Sequence, residues 1–405
     1  MSARKLHQTA WIALALHGLY HAAEALCSIF VGVYFWINSL SFFVVCMHYL
    51  ALYAVTPVFF LLAGWYAQRY DRLHVYRLGL LLNICYYGTL LLLQERSVDY
   101  AVPLGALLGV TWGVFYAGAN TFDFDVTKPG AREYYFGLLQ SVTGTFRLLA
   151  PIVGSAVIFV APDRLLGYHL VFFIAILLYA ACFVISFKMP KDNVRRPFRI
   201  RRALFPGKDQ RDWRLILLAS ASMAGSFTIL AFLLGLIMFM QTGNELSVGG
   251  FASFQAITGI VTAYTVGRFV RPHSRKPFML AGVIVLVGAG IVVAWELSVI
   301  TLVVFGFMRS VAGPLFGIPH FSLRLDTINR CASDPSERIE YLCAWEAPLA
   351  LGRVFMMALM MLLFAWFIEN DLGLRLTLFT LCAVRILTYF ILIRTDALRG
   401  ALPEE

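Results

Sequence analysis

Twelve apolar runs, each about as long as a bilayer is thick, constrain this chain more than any other feature. They fall at residues 9–34, 40–66, 75–94, 101–122, 134–160, 167–187, 213–240, 248–270, 276–295, 299–322, 340–367 and 372–393. A spanning helix needs roughly 20 apolar residues, so 405 residues hold about twelve of them with short connections. In lipid the backbone must satisfy its own hydrogen bonds, so such runs fold as helices and not as open strands. Hydrophobic residues make up 60% of the chain and charged ones only 14%, against roughly 25% charged in a soluble domain. The expected fold class is an all-α membrane protein of about twelve transmembrane helices.

The net charge of +10 does not point to nucleic acid, because the basic residues sit in loops between apolar runs. Lys and Arg accumulate in the loops on the cytoplasmic side. Here Arg69, Arg72 and Arg77, then Lys128 and Arg132, then Arg268, Arg271, Arg275 and Lys276, then Arg324, Arg330 and Arg338 occupy alternate loops. The loops between them carry only Arg96, Arg164 and Arg375. Both termini are therefore expected on the cytoplasmic side, and the short loops fit a bacterial cytoplasmic membrane. The first run follows Arg4 and Lys5 and is too long for a signal-peptide core, so it reads as a retained helix. The seven cysteines have neither disulfide-framework nor zinc-site spacing. No metal or cofactor is expected.

The longest polar stretch, from Lys188 to Arg214, is broken by Pro190, Pro197 and Pro206. It divides the chain into a six-helix half (1–187), a basic linker (188–212) and a second six-helix half (213–405). Arg195, Arg196, Arg199, Arg201 and Arg202, with Phe198, Ile200, Leu204 and Phe205, suit a short amphipathic segment on the inner leaflet; a solvated linker is the alternative. An internal repeat supports the division. Arg132, Tyr135, Gln140 and Arg147 recur at the same spacings as Arg338, Tyr341, Glu346 and Arg353, after Asp125 and Pro129 in one half and Asp326 and Pro335 in the other. Two pseudo-symmetric parallel halves are an architecture of alternating-access carriers.

The loop after the second run reads Gly64, Trp65, Tyr66, Ala67, Gln68, Arg69, Tyr70, Asp71, Arg72, with Arg77 following. It resembles the signature loop of the major facilitator superfamily, a Gly, then Ala-Asp-Arg, then Gly-Arg and further basic residues. Gly64, Ala67, Arg69 and Arg72 match; Gln68 replaces the usual acid and Asp71 a second glycine. A degenerate counterpart runs from Gly267 and Arg268 to Arg271, Arg275 and Lys276. The resemblance implies a secondary transporter with a cytoplasmic latch made of Gly64, Arg69, Asp71, Arg72, Asp123 and Asp125. The loss of the acid at position 68 leaves the inter-half part of the latch open. Gly144, Ala150, Pro151, Gly154 and Ser155 partly match a fifth-helix pattern of exporters in that superfamily, or else serve close helix packing.

Charges within the spans carry the chemistry, since each costs several kcal/mol in lipid. His17, His21 and Glu24 lie at spacings of four and three on one face of the first helix. A shielded carboxylate beside histidines suits proton coupling; a hydrogen-bonded helix contact is the alternative. Arg147, at similar depth in the same half, is expected to pair with Glu24. Glu346, a further proton-coupling candidate, and Arg353 share a face of the eleventh helix. Arg309 lacks an obvious partner and is the best candidate to hold an anionic group, because the resemblance places the tenth helix on the cavity. Arg385 is expected to snorkel to the interface and to matter less to such a ligand. Trp112, Tyr116 and Asn120 on the fourth helix, with Arg147 and Arg353, complete the cavity candidates; Asp123 falls to the latch.

No phosphate loop, zinc spacing or nucleophile elbow occurs in the sequence. The expected function is a proton-coupled carrier, symporter or antiporter, of a small anionic or amphipathic organic solute, leaning to export. Its expected partners are lipid, the solute and a proton or other ion, and no nucleic acid; a monomer is expected. A lipid flippase on the same fold and a membrane-embedded enzyme or assembly factor that does not transport are the alternatives.

Overall fold

A computed structural model describes residues 7–126, 132–190, 198–332, 337–366 and 371–399. Each apolar run becomes one helix. These are α1 (Gln8–Ser39), α2 (Phe42–Arg69), α3 (Arg72–Leu93), α4 (Ala101–Val126), α5 (Arg132–Val160) and α6 (Arg164–Ser186). They continue as α7 (Arg211–Thr242), α8 (Glu245–Phe269), α9 (Arg275–Trp295), α10 (Val299–Cys331), α11 (Arg338–Trp366) and α12 (Leu372–Leu392). All twelve are long and apolar enough to cross a membrane. No strand occurs among the described residues. Two compact units result, Met1–Phe198 with Asn244–Ser253, and Arg199–Gly243 with Phe254–Glu405.

The largest departure from the expected spans is at α10, which runs nine residues past position 322. Leu323, Thr327 and Ile328 stay buried there while Asp326 and Arg330 face out. Hydropathy falls where charges begin, but the helical alternation of inward and outward residues continues. Arg324, expected in a loop, therefore lies within α10 and is only 6% exposed.

In the first unit, α4 packs on α2 through glycines spaced four apart. A Cβ at Gly109 would lie 2.6 Å from the Leu52 carbonyl oxygen, one at Gly113 2.6 Å from that of Thr56, and one at Gly105 would run into that of His48. Small residues let helix backbones approach this closely in lipid, where no hydrophobic force draws them together. His48 is fixed there by the Ala101 carbonyl (3.0 Å) and the Tyr86 hydroxyl (3.2 Å). In the second unit, Gly352 of α11 meets the Ala221 carbonyl of α7, and Gly282 of α9 meets the backbone of α10 at Ala312 and Phe316.

Asp71 caps α3 by accepting from the Leu73 amide at 2.8 Å. Asp71→Ala is expected to cost about 1 kcal/mol, read as a lower midpoint of thermal unfolding. Arg375 performs the converse service at the end of α9, donating to the Ala294 and Trp295 carbonyls.

The connecting segment is no free tether where it is described. The Arg199 amide donates to Glu340 (2.6 Å), Trp213 to the Ala203 carbonyl (2.7 Å) and Gln210 to the Tyr341 hydroxyl (2.7 Å). Arg201, Arg202 and Phe205 point outward. Arg195 and Arg196 lie outside the described residues, as do Lys128, Pro129 and Pro335.

Candidate functional site

The polar residues expected on α1 converge with α4 in the first unit. Tyr20 stacks on Phe115 with ring centroids 3.5 Å apart, which sets the two helices side by side. The next residue along, Tyr116, then reaches Glu24: its hydroxyl donates to Oε1 at 2.5 Å. His21 Nδ1 lies 2.9 Å from the other carboxylate oxygen. His17, one turn earlier, stacks on the His21 ring at 6.4 Å, and Trp112 meets Tyr116 edge-on at 6.2 Å. Five sequence candidates thus form one cluster.

Both oxygens of Glu24 are engaged, and this offsets the cost of holding a carboxylate among apolar helices. The side chains of His21 and Glu24 keep 15% and 19% exposure, so the pair is not sealed. A carboxylate can only accept hydrogen bonds, whereas its protonated form can donate one, and an imidazole nitrogen can do either. The contact therefore accommodates both protonation states of Glu24 without moving its neighbours.

The expected Arg147–Glu24 ion pair is not formed. Arg147 is exposed and makes no direct ion pair among the described residues, though it lies within electrostatic reach of Glu24, whose two oxygens meet His21 and Tyr116. Asn120, Asp123 and Asp125 lie outside the residues whose side chains are described.

The signature loop divides its residues among several tasks. Gly64 is buried in α2. Arg69 is exposed and rests on the rings of Trp65 (5.6 Å) and Tyr70 (5.9 Å). Asp71, besides capping α3, lies 3.5 Å from His74, and Arg72 is 6% exposed. Arg77 ties α3 to the end of α6 through the Ser186 hydroxyl (3.1 Å) and carbonyl (3.0 Å) and covers the Phe187 ring.

In the second unit Glu346 and Arg353 form an ion pair with side chains 12% and 10% exposed. Arg309 is half-buried and donates to the Gln255 side-chain oxygen at 3.1 Å. An amide leaves its charge uncompensated. Arg385 does not snorkel: it is 7% exposed and its guanidinium lies 4.7 Å over the Phe316 ring. The face of α12 that carries it turns inward, a fact that depth in the helix does not reveal.

Glu245 was not singled out by the sequence because it starts a helix at the edge of an apolar run. It is 4% exposed and accepts from Arg164 (3.1 Å) and Tyr168 (3.2 Å). It holds the first turns of α8 to α6, beside a cavity of about 290 Å³ lined by Tyr34, Asn38, Glu95, Asp163, Arg164 and Tyr168. Ser253 donates to the Leu148 carbonyl at 2.6 Å, and Gly249 packs on Pro151 and Ser155. Gly154 packs on Leu26 and Phe30. These small residues of α5 serve close packing.

A profile of the Major Facilitator Superfamily matches residues 11–320. "Uncharacterized protein YqgE" of Bacillus subtilis (strain 168) is 28% identical over 377 residues, covering 93% of this chain and 87% of that protein. "Uncharacterized protein in sodM 3′region" of Geobacillus stearothermophilus is 31% identical over 145 residues, covering 36% and 68%. Among solved structures, the peptide transporter POT in complex with sulfate superposes with a TM-score of 0.74 at 13% identity, over 97% of this chain and 95% of that one. A bacterial homologue of the iron transporter ferroportin in the inward-facing state gives 0.70 at 15% identity, over 96% and 99%. The human organic anion transporter MFSD10 gives 0.68 at 14%, over 95% and 98%. Identities this low establish a shared fold and nothing narrower. With the profile match over most of its length and this fold, the chain belongs to the Major Facilitator Superfamily.

Proposed function

We propose that this protein is a secondary carrier that moves a small organic solute across a membrane by alternating access, coupled to protons through Glu24. The family and fold are those of transporters. The observation that carries the coupling is a carboxylate inside α1 that keeps 19% exposure, held on one oxygen by His21 and on the other by Tyr116. His17 continues this line by one turn. A proton taken up at the His21–Glu24 contact changes the charge that Tyr116 donates to. A solute that competes for the Tyr116 hydroxyl acts on the same equilibrium from the other side, and such linkage is reciprocal. Trp112 and Tyr116 are the proposed solute contacts in the first unit, and Arg309 in the second. Glu346, satisfied by Arg353, is a proposed charge-balancing pair and only secondarily a proton site. In this reading both termini lie in the cytoplasm, which the basic-loop count supports, and the membrane is a bacterial cytoplasmic one, which the short loops suit.

The test is reconstitution in proteoliposomes with a pH-sensitive dye inside. A solute found by thermal-shift screening to stabilise the folded protein should drive proton movement when added. Solute entry with no proton movement sinks the coupling. Tyr116→Phe is expected to lower proton-driven uptake about tenfold, the loss of one hydrogen bond of ~1.4 kcal/mol to a charged group. Trp112→Phe should raise KM and leave coupling intact.

A further inference from the structure

Two buried arginines and a buried histidine of the second unit have no part in the reading above. Arg324 and His320 lie one turn apart on α10, 6% and 3% exposed, and Arg385 approaches from α12, 7% exposed. The Phe316 ring joins them: it stacks on His320 at 6.0 Å and carries the Arg385 guanidinium at 4.7 Å. Arg324 lies 3.7 Å over the ring of Trp345, whose indole N–H is fixed by the Ser220 hydroxyl at 2.5 Å. His320 is within electrostatic reach of both guanidiniums.

Neither guanidinium makes a hydrogen bond or ion pair with a described residue. The Nε atoms of Arg324 and Arg385 and Nε2 of His320 are buried without a partner. Glu346, which acts electrostatically on Arg324, is already committed to Arg353. Stacking occupies the flat faces of a guanidinium and leaves its in-plane N–H edge free. That edge matches two oxygens of a carboxylate or phosphate. There is also room on this face of α10. Added Cβ atoms at Gly313 and Gly317 would meet nothing within 4 Å, and Gly313 is exposed although its helical neighbours Ala312 and Phe316 are buried.

We propose that Arg324, His320 and Arg385 form a binding site for a compact anion, a carboxylate or phosphate, reached through the open face at Gly313 and Gly317. The aromatic rings hold the two guanidiniums in place, so the ligand meets donors already oriented. Buried cations without counter-charges are costly, and the anion supplies the missing charge. That the anion belongs to the transported solute rests on the carrier reading; that it binds does not. Failure of proton coupling at Glu24 therefore leaves this site standing, and the reverse also holds.

The test is thermal unfolding of the purified full-length protein in detergent, with sodium benzoate, inorganic phosphate or sodium chloride at equal ionic strength. Benzoate, phosphate or both should raise the midpoint by roughly 4 °C or more over chloride at concentrations far above Kd. The two arms tell a carboxylate site from a phosphate site. Arg324→Gln and Arg385→Gln should each abolish the rise, and exposed Arg268→Gln should keep it. Should the arginine variants not fold, Gly313→Leu decides: its side chain enters open space, so the protein folds but the anion effect disappears. A rise no larger than with chloride, or one that survives Gly313→Leu and both glutamine variants, overturns the proposal.

Discussion

Glu24→Gln is expected to abolish proton-driven transport, by a hundredfold or more, in a protein that still folds and elutes as a single species. The amide keeps the shape of the carboxylate and can still accept from Tyr116, whose hydroxyl lies 2.5 Å from Oε1. It can still meet His21 on the other side. What it cannot do is gain or lose a proton. Coupling should vanish for that reason alone, while binding of solute and its exchange across the membrane without a gradient should persist. The measurement is uptake into proteoliposomes with and without an imposed pH gradient, alongside solute exchange at equal pH. Gradient-driven uptake at the unmodified rate would remove Glu24 from the mechanism. Loss of exchange as well would make Glu24 a solute-binding or structural residue.

Gly105→Leu is expected to leave almost no folded protein. A Cβ at that position runs into the His48 carbonyl oxygen and approaches the backbone of α2. Backbone cannot rotate away as a side-chain tip can. Overpacking typically costs about 1–3 kcal/mol and more where backbone blocks the way, against total stabilities of about 5–15 kcal/mol. The shift would also disturb the glycines one and two turns further along, Gly109 and Gly113. Gly88→Leu is the control, because a Cβ there meets nothing within 4 Å. Fluorescence-detected size exclusion of tagged variants reads the outcome. Equal folded yields for both would mean that α2 and α4 separate more easily than their backbone contacts imply.

The resemblance of the signature loop implied a latch role for Asp71, and the structure gives that residue a local task as well. Its carboxylate caps α3 and neighbours His74. Any pairing across the latch competes with the cap. The same division applies to Arg77, expected as one of a set of basic loop residues and found bracing α6.

The sequence by itself determined the twelve helices, because lipid forces each apolar run of sufficient length into one. It also determined that His17, His21 and Glu24 share a face, since spacing of three and four residues leaves no other arrangement on a helix. Only the tertiary structure decided what those faces meet. That Glu24 meets Tyr116 and not Arg147 depends on how α4 and α5 rotate about α1, and the stacking of Tyr20 on Phe115 sets the first of these. That Arg324 lies in a helix depends on where α10 ends, and that Arg385 turns inward depends on which side of α12 packs on α7 and α9. Periodicity gives a residue its place on its own helix; the neighbour it touches is set by side-chain fit between helices far apart in the chain, and that information is spread over every residue in the contact.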